Sequence, residues 1–144
     1  MRILVLEDDP IRINRFKQTL SGHDVSYAET ARGAISFLAG KTFDIVFLDH
    51  DLGGQTYVET SEKNTGSEVV RWIMGVFDGE KDHREKLIYP KSRQDWRGTR
   101  FIVHSMNTAA ALSMTHDLGQ ARCAVNHVPF NILRDKLDDF KNTA

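Results

Sequence analysis

Two clusters of ionisable residues are the candidates for chemistry. Glu7-Asp8-Asp9 follows the apolar run Ile3-Leu4-Val5-Leu6, and Asp49-His50-Asp51 follows Ile45-Val46-Phe47-Leu48. Carboxylates brought close together repel and raise one another's pKa, and a hard divalent cation relieves that repulsion. Mg²⁺ takes oxygen ligands in octahedral geometry and typically uses one or two carboxylates together with phosphate oxygens. Glu7, Asp8 and Asp49 therefore form a candidate Mg²⁺ pocket, with a backbone carbonyl near Asp51 as a further ligand. The competing reading is plain solvation of acids at strand ends. Placing Asp49 on a strand beside Glu7-Asp8 favours binding.

These clusters act together only if the chain folds to bring them together. Unbroken apolar runs of four residues, closed by acids, fit strands buried on both faces in a parallel sheet. Pro10 suits a first helical turn, and Ile11, Ile13, Phe16 and Leu20 follow until Ser21-Gly22. Residues 23 to 28 alternate weakly and read as a second strand. Thr30 is positioned to cap a helix bearing Ala31, Ala34, Ile35 and Leu38, with Gly40 just past its end. The third strand is Ile45 to Leu48. Helical periodicity runs from Gly66 to Phe77 through Val69, Val70 and Ile73. Phe101-Ile102-Val103 opens a fourth strand that ends in His104-Ser105-Met106-Asn107. Asn107 can cap a helix to Leu118, closed by Gly119. A fifth strand begins at Cys123-Ala124-Val125, and a last amphipathic helix carries Ile132, Leu133, Leu137 and Phe140. Strand followed by helix five times predicts one α/β domain: a flavodoxin-like, doubly wound, five-stranded parallel sheet, (βα)5, spanning residues 1–144. In such sheets ligands bind outside the carboxyl ends of the strands. The ionisable clusters all fall there.

The chain resembles a response-regulator receiver domain over nearly its whole length. The likeness rests on ILVLEDDP at the first strand, FDIVFLD at the third, FIVHS at the fourth and VPF after the fifth. That resemblance implies that Glu7 and Asp8 bind metal, that Asp49 accepts a phosphoryl group and that Ser105 is the hydroxyl sensing it. One departure concerns charge. The receiver family places a lysine just before the proline after the fifth strand, whereas Val128 stands here with His127 before it. Histidine is cationic only near or below its pKa of about 6.5. A narrower resemblance rests on HDLGG and HSMN, which are similar to a divergent receiver group proposed to process cyclic phosphates. It implies that His50 and His104 are acid–base groups alongside Asp49 and Ser105. Asn107, Gly53, Gly54 and His127 are the candidate phosphate contacts, through side chain or backbone amide. Three readings stand side by side: a metal-dependent phosphoesterase on cyclic nucleotides or RNA ends, a single-domain regulator phosphorylated on Asp49, and a non-catalytic pseudo-receiver.

The bulk properties exclude other classes. The 144 residues are 40% hydrophobic and 27% charged with a formal net charge of −1, which gives no global drive toward nucleic acid or acidic membrane. A single cysteine, Cys123, rules out an intramolecular disulfide and fits a reducing cytoplasm. No apolar run approaches the roughly 18 residues of a spanning helix. No output domain is read after the last helix, so a signal would pass to a protein partner, through helix faces. The segment between the third and fourth strands is long for a crossover, with an insertion at about 78–99. Its second half, YPKSRQDWRGTR, interleaves basic and aromatic residues, a composition able to stack and neutralise a nucleotide. Packing by Tyr89 and Trp96 is the favoured reading there.

Overall fold

The structure is a computed structural model describing residues 1–52, 54, 58–59, 61, 63–75, 92 and 95–137. Five strands, β1 (Arg2–Leu6), β2 (Asp24–Ala28), β3 (Ile45–Leu48), β4 (Arg100–Val103) and β5 (Ala124–His127), alternate with five helices. These are α1 (Pro10–Thr19), α2 (Ala31–Gly40), α3 (Gly66–Met74), α4 (Thr108–Gln120) and α5 (Phe130–Lys136). The strands pair in parallel in the order β2-β1-β3-β4-β5. The chain steps outward one way from β1 and the other way from β3, so the topological switch lies between those two strands. Both faces are covered, as the apolar runs predict.

Strand alternation sorts the core into two layers. Leu4, Leu6, Val46, Leu48, Phe101 and Val103 pack with α2, α3 and α4. Ile3, Val5, Ile45, Phe47 and Ile102 pack with Phe16 and Leu20 of α1 and Phe130 and Leu133 of α5. α1 to α4 start where polar caps satisfy their first amides, while α5 starts after Pro129 with no side-chain cap. Asp9 accepts from Ile11 N and Arg12 N, Thr30 from Gly33 N, Thr65 from Glu68 N and Asn107 from Ala110 N.

Several element ends differ from the sequence reading. α3 stops at Met74 because Gly75 turns left-handed at φ 74 and returns its N–H to Trp72 O; Phe77 lies outside the described residues. α1 ends at Thr19, before Ser21-Gly22, and α2 includes Gly40. Ile11 is 81% exposed and Ile132 46% exposed, so neither belongs to the core. The packed faces of their helices are set instead by Phe16 with Leu20, and by Phe130 with Leu133. Trp96 is buried, edge-on to Trp72 and Phe101 at 5.9 and 6.2 Å. Tyr89 and most of the insertion at 78–99 lie outside the described residues. Among those described, no helix is long and apolar enough to cross a membrane.

Candidate functional site

The position next after each central strand determines the site. Glu7 continues the Ile3–Val5 alternation, Asp49 continues Ile45–Phe47 and His104 continues Ile102, so all three emerge on the α1/α5 side of the sheet. All three are buried. His104 Nε2 and Glu7 Oε2 are 2.7 Å apart. Asp49 Oδ1 accepts from His50 N at 2.8 Å, and Glu7 Oε1 accepts from Asp9 N at 3.2 Å. One ligand atom from each of Glu7, Asp49 and His104 falls within 4.8 Å of the others. Two carboxylates and an imidazole at that spacing are a donor set that a divalent cation fits: the oxygens suit Mg²⁺, and an added imidazole suits Mn²⁺ or Zn²⁺.

Burial sets the electrostatics. It pushes Glu7 up to about 7, against the Arg12 guanidinium, the Asp9 amide and a hydrogen bond with Asp49, which pull the other way. Asp49 is likewise pushed up to about 7 by burial, with Glu7 adding to the rise and His104 and Arg12 opposing it. Burial holds His104 down at about 4. Burial thus disfavours the charged forms of both partners in the short Glu7–His104 contact. The His104 ring lies edge-on between Phe16 and Phe130, and its buried Nδ1 has no hydrogen-bond partner among the described residues.

A cleft of about 510 Å³ opens over this cluster, lined by Glu7, Asp8, Asp9, Asp49 and Asp51, by Arg12 and Asn107, and by Pro10, Ile11, Gly54 and Met106. The other sequence-derived candidates sit around it in different ways. The Asp8 carboxylate faces the cleft and accepts from Gly54 N at 2.9 Å. Asp51 Oδ1 accepts from Val58 N at 2.9 Å and from Asn107 Nδ2 at 3.3 Å. Asn107 Nδ2 also donates to Val58 O at 3.1 Å. His50 does not line the cleft. Its ring is fully buried, with Nε2 2.7 Å from Val58 O and Nδ1 3.0 Å from Ser67 Oγ. A carbonyl can only accept, so Nε2 carries the proton and Nδ1 accepts from Ser67. Ser105 points away from Asp49's face, and its Oγ accepts from Asn107 N at 3.1 Å in the turn before α4. His127 also lies outside the cleft, its Nε2 3.1 Å from Ser105 O. Gly53 lies outside the described residues.

Two features of the site escaped the sequence reading. Arg12 reaches the cleft from the first turn of α1, with Nη1 4.0 Å from Asp49 Oδ2 and its guanidinium 5.0 Å from the Phe130 ring centre. Gly66 docks the start of α3 on the backbone after β3, its N–H donating to His50 O at 3.0 Å. A Cβ there would stand 1.9 Å from Asp49 O, so only glycine permits the approach.

A five-stranded 2-1-3-4-5 parallel sheet, with buried acids at the ends of β1 and β3, defines a receiver domain. Residues 2–120 match the family described as the cyclic-phosphate processing receiver domain, and the chain belongs to that family. No curated protein matches it. Among solved structures it is similar to a CheY-like receiver domain from Methanospirillum hungatei JF-1, at 18% identity and TM-score 0.55 over 96% of this chain and 94% of that one. A Francisella response-regulator receiver domain gives 14% identity and TM-score 0.59 over 98% and 93%. The Mn²⁺-bound form of response regulator Rcp1 gives 14% identity and TM-score 0.55 over 99% and 96%. At these identities the likeness is one of fold.

Proposed function

We propose that the chain is a receiver-type module that holds a divalent cation at Glu7 and Asp49 and receives a phosphoryl group on Asp49, passing the change to a partner protein. The observation that carries this reading is the convergence of Glu7, Asp49 and His104 within 4.8 Å at the switch point. Asp8 and Asp51 line the same cleft and complete its acidic shell. A divalent cation bound there supplies charge neutralisation for the non-bridging oxygens of a phosphate. Asp49 Oδ2 is the nucleophile, because Oδ1 is engaged by the His50 amide. His50, Ser105 and Asn107 shape the surrounding loops, and His127 holds the Ser105 carbonyl. The Rcp1 structure, with Mn²⁺ bound in the same fold, supports testing that ion beside Mg²⁺.

One observation favours a second reading, hydrolytic opening of a cyclic phosphate. The position beside Asp49 at the end of β4 carries a histidine in contact with Glu7. A histidine–carboxyl pair can move a proton to a leaving alkoxide, which a simple phosphoacceptor does not require. Membership in the cyclic-phosphate processing family points the same way.

Acetyl phosphate or beryllofluoride with Mg²⁺ or Mn²⁺ separates the two. A covalent or beryllofluoride adduct seen by mass spectrometry or ¹⁹F NMR in wild type, and absent in Asp49→Asn, supports the acceptor reading. No adduct, together with cation-dependent opening of a 2′,3′-cyclic nucleotide lost in His104→Ala, supports the hydrolase. Neither outcome leaves a pseudo-receiver.

A further inference from the structure

We infer that Arg12 is the phosphate-oxygen ligand of this site, a cation delivered from α1 and held in place by the ring of Phe130. The inference rests on the phosphate reading above and goes beyond it by assigning the group that recognises the anion. The charge inventory of the cleft makes the need plain. Among the described residues, five carboxyl groups line it, from Glu7, Asp8, Asp9, Asp49 and Asp51, against one cation, Arg12. A phosphate entering that field is repelled unless positive charge meets it at the floor. A cation between Glu7 and Asp49 answers part of this, and a guanidinium beside Asp49 answers more.

The geometry fits the task. Arg12 Nη1 lies 4.0 Å from Asp49 Oδ2, longer than a hydrogen bond, so the guanidinium borders the carboxylate without being locked to it. Its side chain is 28% exposed and faces the cleft. Its planar fork matches two non-bridging phosphate oxygens. The Phe130 ring lies 5.0 Å from the guanidinium carbon, within cation–π range, and presents a stacking face that fixes the fork's orientation. Phe130 opens α5, two residues after Val128, and Val128 packs against the apolar layer below. The turn after β5 therefore contributes an aromatic platform for a charge from another element. The amides of the α1 first turn cannot take the role, because Asp9 already caps Ile11 N and Arg12 N.

The test compares wild type with Arg12→Ala, Arg12→Lys, Phe130→Leu and Phe130→Tyr. Each folded variant is checked by circular dichroism and a thermal melt. Inorganic phosphate binding is measured by titration calorimetry, with and without Mg²⁺. Mn²⁺ binding is read separately from the EPR signal of free Mn²⁺. Arg12→Ala should weaken phosphate at least tenfold while tightening Mn²⁺ severalfold, because one positive charge leaves the neighbourhood of Asp49. Arg12→Lys should keep Mn²⁺ affinity near wild type and recover part of the phosphate affinity. Phe130→Leu should weaken phosphate severalfold, and Phe130→Tyr should restore it. The inference is overturned if wild type binds no phosphate, if Arg12→Ala changes phosphate affinity less than twofold, or if phosphate and Mn²⁺ weaken together in a folded variant. Absence of Mn²⁺ binding in wild type would sink the cation reading instead. The phosphate comparison without Mg²⁺ would still decide the role of Arg12.

Discussion

Replacing Asp49 with asparagine should stabilise the protein in a pH-dependent way. Asp49 is 4% exposed, and burial lifts its carboxyl from 3.8 to about 7. A carboxyl whose folded pKa is raised contributes stability that is present below its unfolded value and lost as pH rises through its folded value. The wild type therefore loses this contribution between about pH 4 and pH 7. Asparagine keeps the acceptor for His50 N and has no charge to desolvate, so Asp49→Asn does not suffer the loss. From pH 5 to pH 8 the difference develops over about two pKa units, at about 1.4 kcal/mol each, so the variant's advantage grows by about 3 kcal/mol. Relief of Glu7 from its charged neighbour acts in the same direction. The other groups titrate in both proteins and largely cancel. For a chain of this size the change corresponds to roughly 10 °C in Tm. Urea denaturation in EDTA at pH 5 and pH 8 measures it. An advantage that stays flat or shrinks toward pH 8 would show that Asp49 is already ionised at pH 5, refuting the argument from burial. Adding Mg²⁺ or Mn²⁺ at pH 8 should raise wild-type stability and leave Asp49→Asn nearly unchanged.

Three further outcomes are expected. Divalent-cation affinity should rise through pH 6 to 7 by about tenfold per unit for each proton displaced, then level off, since Glu7 and Asp49 both hold their protons to about 7; Mn²⁺ EPR titrations across that range follow it. Gly66→Ala should cost about 3 kcal/mol or more, because its Cβ would meet a backbone oxygen at 1.9 Å and backbone cannot swing aside; chemical denaturation tests this, and a cost under 1 kcal/mol would contradict the close approach. His50→Ala should lower stability by about 2–4 kcal/mol by removing a buried ring and its links to Val58 and Ser67. The same change should leave phosphate affinity per folded molecule within a fewfold of wild type, which calorimetry on the folded fraction reads.

Much of the fold was legible because β1 and β3 carry four-residue apolar runs, and β4 a three-residue one, with no competing helical period. Glu7, Asp8 and Asp49 were legible for the same reason: each sits where such a run stops. His104 and Ser105 were harder. Both are polar at the end of β4, and only the phase of alternation, counted from Ile102, decides that His104 joins Asp49's face while Ser105 turns toward α4. Arg12 looked like an ordinary surface residue of a first helical turn. Its meaning depends on α1 crossing in front of Phe130, a contact 118 positions along the chain that no local pattern encodes. One signal was available, since Arg12 lies only five residues after Glu7, the first acid of a strand-end cluster. His50 and Asn107 carried residue types suited to catalysis, yet their hydrogen bonds to a loop carbonyl could not be read from spacing, because Val58 offers only backbone to that contact.

That carbonyl has a consequence for how the sequence can diverge. Val58 O lies within hydrogen-bond distance of both His50 Nε2 and Asn107 Nδ2, while Val58 N donates to Asp51. Three side chains that follow two strands thus share the backbone of one residue as their common partner. Losing Asp51 takes this acceptor from Val58 N, and losing His50 or Asn107 leaves Val58 O with one of these two donors, each a lost hydrogen bond of about 0.5–1.5 kcal/mol. A lineage drifting from this sequence should therefore exchange the histidine, the aspartate and the asparagine as a block, or keep all three. In a family alignment the trio would vary like a single inherited character.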